Sequence, residues 1–304
     1  MKMASIDIGT NSMRLLITDY EGNFKDRKKY VNITRIGRGV DENGYISEEA
    51  IDRNIKALKE FVDMAKEENC KDIFVMGTSA LRDSKNREDF IERAKKETGI
   101  NVDIITGDDE ASLGFYGVAA GLKESGQVLV LDIGGGSTEF ILGDTNDGII
   151  FSKSEDIGSV RLTEKFVKND PVKDNEIIDM EKYIHMVTQN TIDILKTYHI
   201  KTLIGIGGTA TSISSMAQEL EVYDMEKVHQ SIIMYEEIEG ILDGLKSKTL
   251  EERMMIKGLQ PKRADVITAG TVILKRIMKD LSMKDILVSE YDNLEGLIYR
   301  NSKI

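Results

Sequence analysis

At 304 residues the chain has room for about two ordinary domains, and 40% apolar residues with only two prolines suit a packed fold rather than disorder. Its 53 acidic side chains against 41 basic ones leave a formal charge of −12, which excludes diffuse nucleic-acid binding and a basic membrane-surface role and counts against a polyanionic partner. Cys70 is the only cysteine, so no intramolecular disulfide or thiolate metal cluster exists, and His185, His199 and His229 are too scattered for a histidine metal centre.

In chain order, the first readable element is a β-hairpin. Ala4–Ile6 and Leu15–Ile17 are apolar strands around Asp7-Ile8-Gly9-Thr10-Asn11-Ser12. Lys25 to Arg38 follows as a basic run, with Lys25, Arg27, Lys28, Lys29, Arg35 and Arg38 against Asp26. It reads either as a solvated strand-edge or loop face, or as a local field that joins Arg14, Arg82 and Arg87 to draw in an anion despite the global charge. Ser47 is placed to cap a helix whose apolar positions are Ile51, Ile55, Leu58, Phe61, Val62 and Ala65. A strand is expected over Asp72–Met76, a helix over Ser84–Thr98, a short strand over Asn101–Ile105, and a helix opening at Gly107 with Asp108, Asp109 and Glu110 in its first turn. The Gly121–Gly126 stretch marks a boundary, giving domains of residues 1–121 and 122–304, the last helix packing either within the second or back on the first.

The second half opens on a copy of the first hairpin. Asp132-Ile133-Gly134-Gly135-Gly136-Ser137-Thr138-Glu139 aligns with Asp7 to Arg14 at an offset of 125 residues and without gaps. A long helix-compatible stretch over Asp174–Tyr198 follows, then the segment Thr202 to Ala210, which ends in a glycine turn with a helix behind it. Gly205, Gly207 and Ala210 match the weak dinucleotide pattern. A Rossmann or P-loop reading nevertheless fails, because each duplicated glycine turn leads back into a strand rather than into a helix. We therefore read two similar α/β domains whose turns face a cleft, with a third phosphate- or nucleotide-facing turn at Gly207.

Small turns suit phosphate oxygens, since glycine amides and the hydroxyls of Thr10, Ser12, Ser137, Thr138 and Thr209 supply donors without bulk. Asp7, Asp132 and Glu139 in the same turns would repel phosphate unless a divalent cation bridges them, which implies Mg²⁺ or Mn²⁺; the alternative for Asp7 and Asp132 is an Asp capping its own turn. Arg14 stands where the second hairpin carries Glu139, so the two turns divide their labour. Glu110 is a candidate to orient or deprotonate water, its acidic neighbours favouring a raised pKa, against the plain role of complementing a helix dipole.

The segments Ile6–Ser12, Gly77–Asp83, Thr106–Ala111, Leu131–Glu139, Gly158–Glu164, Gly205–Thr211 and Arg263–Ile267 resemble, in order, the blocks of the exopolyphosphatase / guanosine pentaphosphate phosphohydrolase family in its short two-domain form. The resemblance implies two ribonuclease-H-like domains of the actin-like, sugar-kinase and chaperone-ATPase superfamily around an interdomain cleft. It places Glu110 as the base that activates water and Asp132 and Glu139 as metal ligands. Asn11, Ser12, Arg82, Gly135, Ser137 and Thr138 then line a phosphate channel, with neighbouring Gly134, Gly136 and Arg263, and Gly207, Gly208 and Thr209 face it. Asp108 and Asp109 stand where relatives carry Glu, and His229-Gln230 replaces a His-Gly pair. The expected function is Mg²⁺- or Mn²⁺-dependent release of orthophosphate from inorganic polyphosphate by a cytoplasmic homodimer that binds neither nucleic acid nor membrane. Guanosine pentaphosphate hydrolysis, or a weakly catalytic alarmone sensor, are the alternatives.

Overall fold

The computed structural model describes residues 1–122 and 126–302; Lys123, Glu124 and Ser125 of the expected boundary stretch lie outside the described residues. The chain forms two compact units, Met1–Ala120 with the segment from Asp292 onward, and Gly121–Tyr291.

In the first unit β1 (Lys2–Ile8), β2 (Met13–Tyr20) and β3 (Phe24–Asn32) make an antiparallel meander. On the other side of β1, β4 (Asp72–Gly77) and β5 (Asp103–Ile104) add in parallel, giving the order β3-β2-β1-β4-β5. The basic run supplies edge strand β3, where no regular apolar alternation announces a strand. The helix Glu48–Glu67 begins at its expected cap, Ser47 Oγ accepting from the Ala50 amide at 3.2 Å. The helix expected over Ser84–Thr98 is present from Arg87 to Thr98, and a separate short helix, Ser79–Asp83, precedes it. Between them Ser84 Oγ donates to the Leu81 carbonyl, and the Asn86 amide exchanges two hydrogen bonds with the backbone of Ile46, 40 residues away.

Strand periodicity decides what each face of this sheet carries. Ala4, Ile6 and Ile8 pack with Leu15, Leu58, Phe61 and Phe90 on one side. Met3 packs on the other with Leu16, Leu294 and Ile298, and Ser5 donates to the Leu294 carbonyl at 2.8 Å. Asp7 shares this second face, which is why it meets the C-terminal helix Asn293–Asn301 rather than the larger core. That helix crosses the helix Gly107–Gly121 at van der Waals range, since a Cβ on Gly117 would strike the Asp292 carbonyl and one on Gly296 the Leu113 carbonyl.

The second unit has the meander β6 (Gln127–Ile133), β7 (Thr138–Asp144) and β8 (Gly148–Glu155). β9 (Thr202–Ile206) lies parallel to β6; β10 (Ile232–Met234) pairs with β11 (Asp285–Val288), which is parallel to β9. The order is β10-β11-β9-β6-β7-β8. Without β10, strand order and directions repeat those of the first unit, so the sequence duplication is a duplication of ribonuclease-H-like α/β topology. The core gathers Leu129, Leu131, Ile133, Phe140 and Leu142 under the helices Asp174–Leu195 and Ile267–Leu281. No helix among the described residues is long and apolar enough to cross a membrane.

Candidate active site

The two hairpin turns share one geometry. Gly9 N donates to Ser12 O at 3.0 Å, and Gly134 N donates to Ser137 O at 3.0 Å. Each turn is framed by a cross-strand pair on its β1–β2 or β6–β7 ladder: Asp7 opposite Arg14, and Asp132 opposite Glu139. Opposed residues of an antiparallel ladder point to the same face, so in the first unit the pair is an ion pair and in the second it is two carboxylates.

In the first unit Asp7 Oδ2 accepts from Arg14 Nη2 at 2.6 Å and Nε at 3.1 Å, and Arg14 Nη1 donates to Asp292 Oδ2 at 2.8 Å. Lys29 reaches the same Asp292 oxygen at 3.1 Å, while Glu295, fully buried, takes Lys29 at 3.2 Å and Arg27 at 2.9 Å. Burial pushes the Asp292 carboxyl up, but the charges of Arg14 and Lys29 and the Leu294 amide outweigh it and hold Asp292 well below the usual carboxylate range. Asp7 moves upward, burial outweighing its attraction to Arg14. Lys28 pairs with Glu68 at 2.7 Å, so three cations of the basic run are matched by carboxylates within the unit.

The turn itself holds Thr10, Asn11 and Ser12. Asn11 is 7% exposed, and neither its Oδ1 nor its Nδ2 has a hydrogen-bond partner; Asp7 Oδ1 is likewise buried without one. A buried carboxamide without partners is costly unless a ligand completes it. Glu110 is also buried, on the first turn of the helix Gly107–Gly121. Its Oε2 accepts from Arg82 Nη1 at 3.2 Å, and the same nitrogen reaches the Ile105 carbonyl at 3.2 Å. Asp109 does the capping here, exchanging bonds with Thr106, so the first-turn acids are not equivalent.

In the second unit the turn Gly134–Ser137 is backed by the segment Gly158–Arg161. Ser159 N and Val160 N donate to Gly134 O and Gly135 O, and Arg161 Nε donates to Gly136 O at 2.8 Å. The hydroxyls of Thr138 and Thr209 go to main-chain carbonyls, Ile157 at 2.6 Å and Ile133 at 2.9 Å, so they brace the turns. Ser137 is buried on its turn. Glu139 accepts from Ser154 Oγ at 2.8 Å. The third turn closes on this set. Gly207 has φ +75, and a Cβ there would strike the Asp132 carboxylate; one on Gly208 would strike the Arg263 guanidinium. Nearby, the Tyr223 hydroxyl is bonded to buried Glu290, and burial followed by the Glu290 charge raises its pKa strongly. Gly207→Ala should therefore cost about 1–3 kcal/mol through left-handed strain and displacement of Asp132, read as a lowered denaturation midpoint. An unchanged midpoint would mean that the turn relaxes freely.

Among the described residues no group of three or more His, Cys, Asp and Glu is arranged as a metal cage. Asp132 and Glu139 are nevertheless neighbours on one face, with the side-chain-free Gly207 against Asp132. That donor set fits Mg²⁺, which takes one or two carboxylates and fills its shell with waters and substrate phosphate oxygens.

The sequence reading assigned no chemistry to Arg161 or Asp292. Arg161 lies within a block that carried the resemblance, and Asp292-x-x-Glu295 is a capping-box signal whose Asp292 amide does donate to Glu295 at 2.9 Å.

A model of the Ppx/GppA phosphatase family matches residues 18–303. Over 307 residues the chain is 41% identical to a bifunctional 3-dehydroquinate synthase/phosphatase of Fusobacterium nucleatum, covering 97% of this chain but 46% of that protein, so the chain spans just under half its length. It is 32% identical to exopolyphosphatase 2 of Mycobacterium tuberculosis over 97% of both chains. The crystal structure of an exopolyphosphatase from Cytophaga hutchinsonii superposes with a TM-score of 0.89 at 32% identity, covering 98% of this chain and 97% of that one.

Proposed function

Since this chain belongs to the Ppx/GppA phosphatase family, we propose that it is an exopolyphosphatase, a hydrolase that removes orthophosphate from the end of inorganic polyphosphate. The observation that carries this reading is the Arg82–Glu110 pair: a buried carboxylate, fixed by a guanidinium, in a unit whose glycine turn holds the unpartnered Asn11 amide. In the proposed reaction Glu110 orients a water and takes its proton as the water oxygen bonds to the terminal phosphorus. The bridging P–O bond breaks, and its oxygen leaves on the shortened chain. The turn amides and the guanidiniums of Arg82 and Arg263 hold phosphoryl oxygens. Asp132 and Glu139 would hold Mg²⁺ or Mn²⁺, which when bound neutralises charge on those oxygens.

The test is orthophosphate release from long-chain polyphosphate, tripolyphosphate and guanosine pentaphosphate, each with and without a chelator. Release from polyphosphate should stop on chelation and return with Mg²⁺ or Mn²⁺. Faster turnover of guanosine pentaphosphate would move the assignment to that substrate, and tight binding without turnover would make the protein a sensor. Release that ignores the chelator would remove the metal from the scheme. A homodimer in the cytoplasm completes the proposal; the lone cysteine suits a reducing compartment, and light scattering reads the dimer.

A further inference from the structure

Strand pairing sets Ser154 in one row with two carboxylates. Across the second unit's meander Asp132 of β6 stands opposite Glu139 of β7, and Glu139 stands opposite Ser154 of β8. Opposed residues of antiparallel strands share a face, so the row reads carboxylate, carboxylate, hydroxyl on one side of the sheet. The last contact of the row is made: Ser154 Oγ donates to Glu139 Oε1 at 2.8 Å, with Glu139 1% exposed and Ser154 half-buried. The next residue along β8 faces the other way, where Glu155 accepts from Thr191 of the helix Asp174–Leu195. The duplicated row in the first unit shows what the hydroxyl accompanies. There Asp7 of β1 stands opposite Arg14 of β2, and Arg14 opposite Val31 of β3. Arg14 is held by carboxylates, Asp7 at 2.6 Å and Asp292 at 2.8 Å, and the third position carries an exposed apolar side chain. Where the middle residue is Glu139, an ionised carboxylate opposite it donates nothing, and the third position carries a donor. A glutamate has several rotatable torsions, whereas Mg²⁺ demands near-ideal octahedral geometry, so a ligand carboxylate of this length has to be oriented by its neighbours. One hydroxyl does this and leaves a carboxylate able to ligate.

We propose that Ser154 is a positioning residue for the metal, its hydroxyl fixing the Glu139 carboxylate in the orientation that takes Mg²⁺ or Mn²⁺ together with Asp132. The inference rests on the metal-dependent reading of the site and adds to it a residue outside every block of the family resemblance. Its test reads the metal directly: Mn²⁺ binding to the full chain without substrate, by electron paramagnetic resonance of the free ion. Beside it stand the Mg²⁺ dependence of orthophosphate release from polyphosphate and a melting curve. Ser154→Thr and Ser154→Val share a shape and a preference for strands, and differ in the hydroxyl. Ser154→Val and Ser154→Ala should weaken Mn²⁺ binding about tenfold or more and raise the Mg²⁺ concentration for half-maximal release by a similar factor, with kcat at saturating Mg²⁺ close to wild type. Ser154→Thr should keep the wild-type Mn²⁺ affinity. Unchanged Mn²⁺ affinity in Ser154→Val, with or without a lowered melting temperature, would overturn the inference, and so would a loss in Ser154→Thr as large as in Ser154→Val. In either case weakened Mn²⁺ binding by Glu139→Gln shows that the metal reading still stands. A wild-type chain that binds no Mn²⁺ and releases phosphate regardless of chelator overturns both.

Discussion

Glu110→Gln should lower kcat for polyphosphate by roughly 10²–10⁴-fold, with KM changed little and the fold intact. The reason is the difference between holding water and taking its proton. Gln fills the same volume and still accepts from Arg82, whose Nη1 lies 3.2 Å from Glu110 Oε2. Water can be held by the carboxamide oxygen, but no base is present to receive the proton as the new P–O bond forms. Arg82 is partly exposed, so its loss of an ionic partner is softened by solvent. Glu110→Asp keeps the charge but withdraws it by a methylene, and it should fall between the two. The measurement is steady-state orthophosphate release beside a melting curve. A folded Glu110→Gln protein with the wild-type kcat would remove Glu110 from the mechanism.

Asp292→Ala should destabilise the protein by about 3–5 kcal/mol, the usual cost of removing one partner from a buried ionic cluster. Asp292 anchors Arg14 at 2.8 Å and Lys29 at 3.1 Å, all three largely shielded from water, and its Oδ1 accepts from the Leu294 amide at the start of the C-terminal helix. Removing it takes one of two carboxylates from each of Arg14 and Lys29, which keep Asp7 and Glu295, and uncaps that helix. The pH dependence carries a sign. Because the folded carboxyl is held well below its ordinary value, its contribution is fully present above the unfolded value of about 3.9 and is lost as pH falls through the lower folded value. Asp7 acts the other way. Burial raises it, so its ionised form costs stability above its folded pKa, and that cost is relieved on acidification. Wild type should therefore lose stability below about pH 4, and Asp292→Ala should lose less over the same interval. Denaturant unfolding at pH 7, 5 and 3 reads both effects. A variant within 1 kcal/mol of wild type at pH 7 would show that the cluster is solvated in practice.

The parts of this protein written locally in its sequence are those whose causes span a few residues. The two hairpins are legible because each needs only a glycine turn between apolar strands, and their shared Gly-to-Ser backbone bond follows from the shared residues. The Ser47 cap and the acidic first turn at Gly107 are local in the same sense. Strand β3 and the late start of the Arg87–Thr98 helix are less legible, since an edge strand needs no alternation and the segment before Arg87 is held by Asn86 meeting Ile46, 40 residues away. At the site, the sequence determined which residues stand in the turns, including Asn11, Asp132, Glu139 and Glu110. Tertiary structure decided what they are bonded to. It gave Arg14 to Asp292, 278 positions distant, and matched Arg27 and Lys29 to the same terminal helix. A basic run that reads as an attractive field is thereby drawn into internal ion pairs. The physical reason is that the energy of a charge depends on burial and on the nearest opposite charge, and both are set by chain segments far apart in sequence.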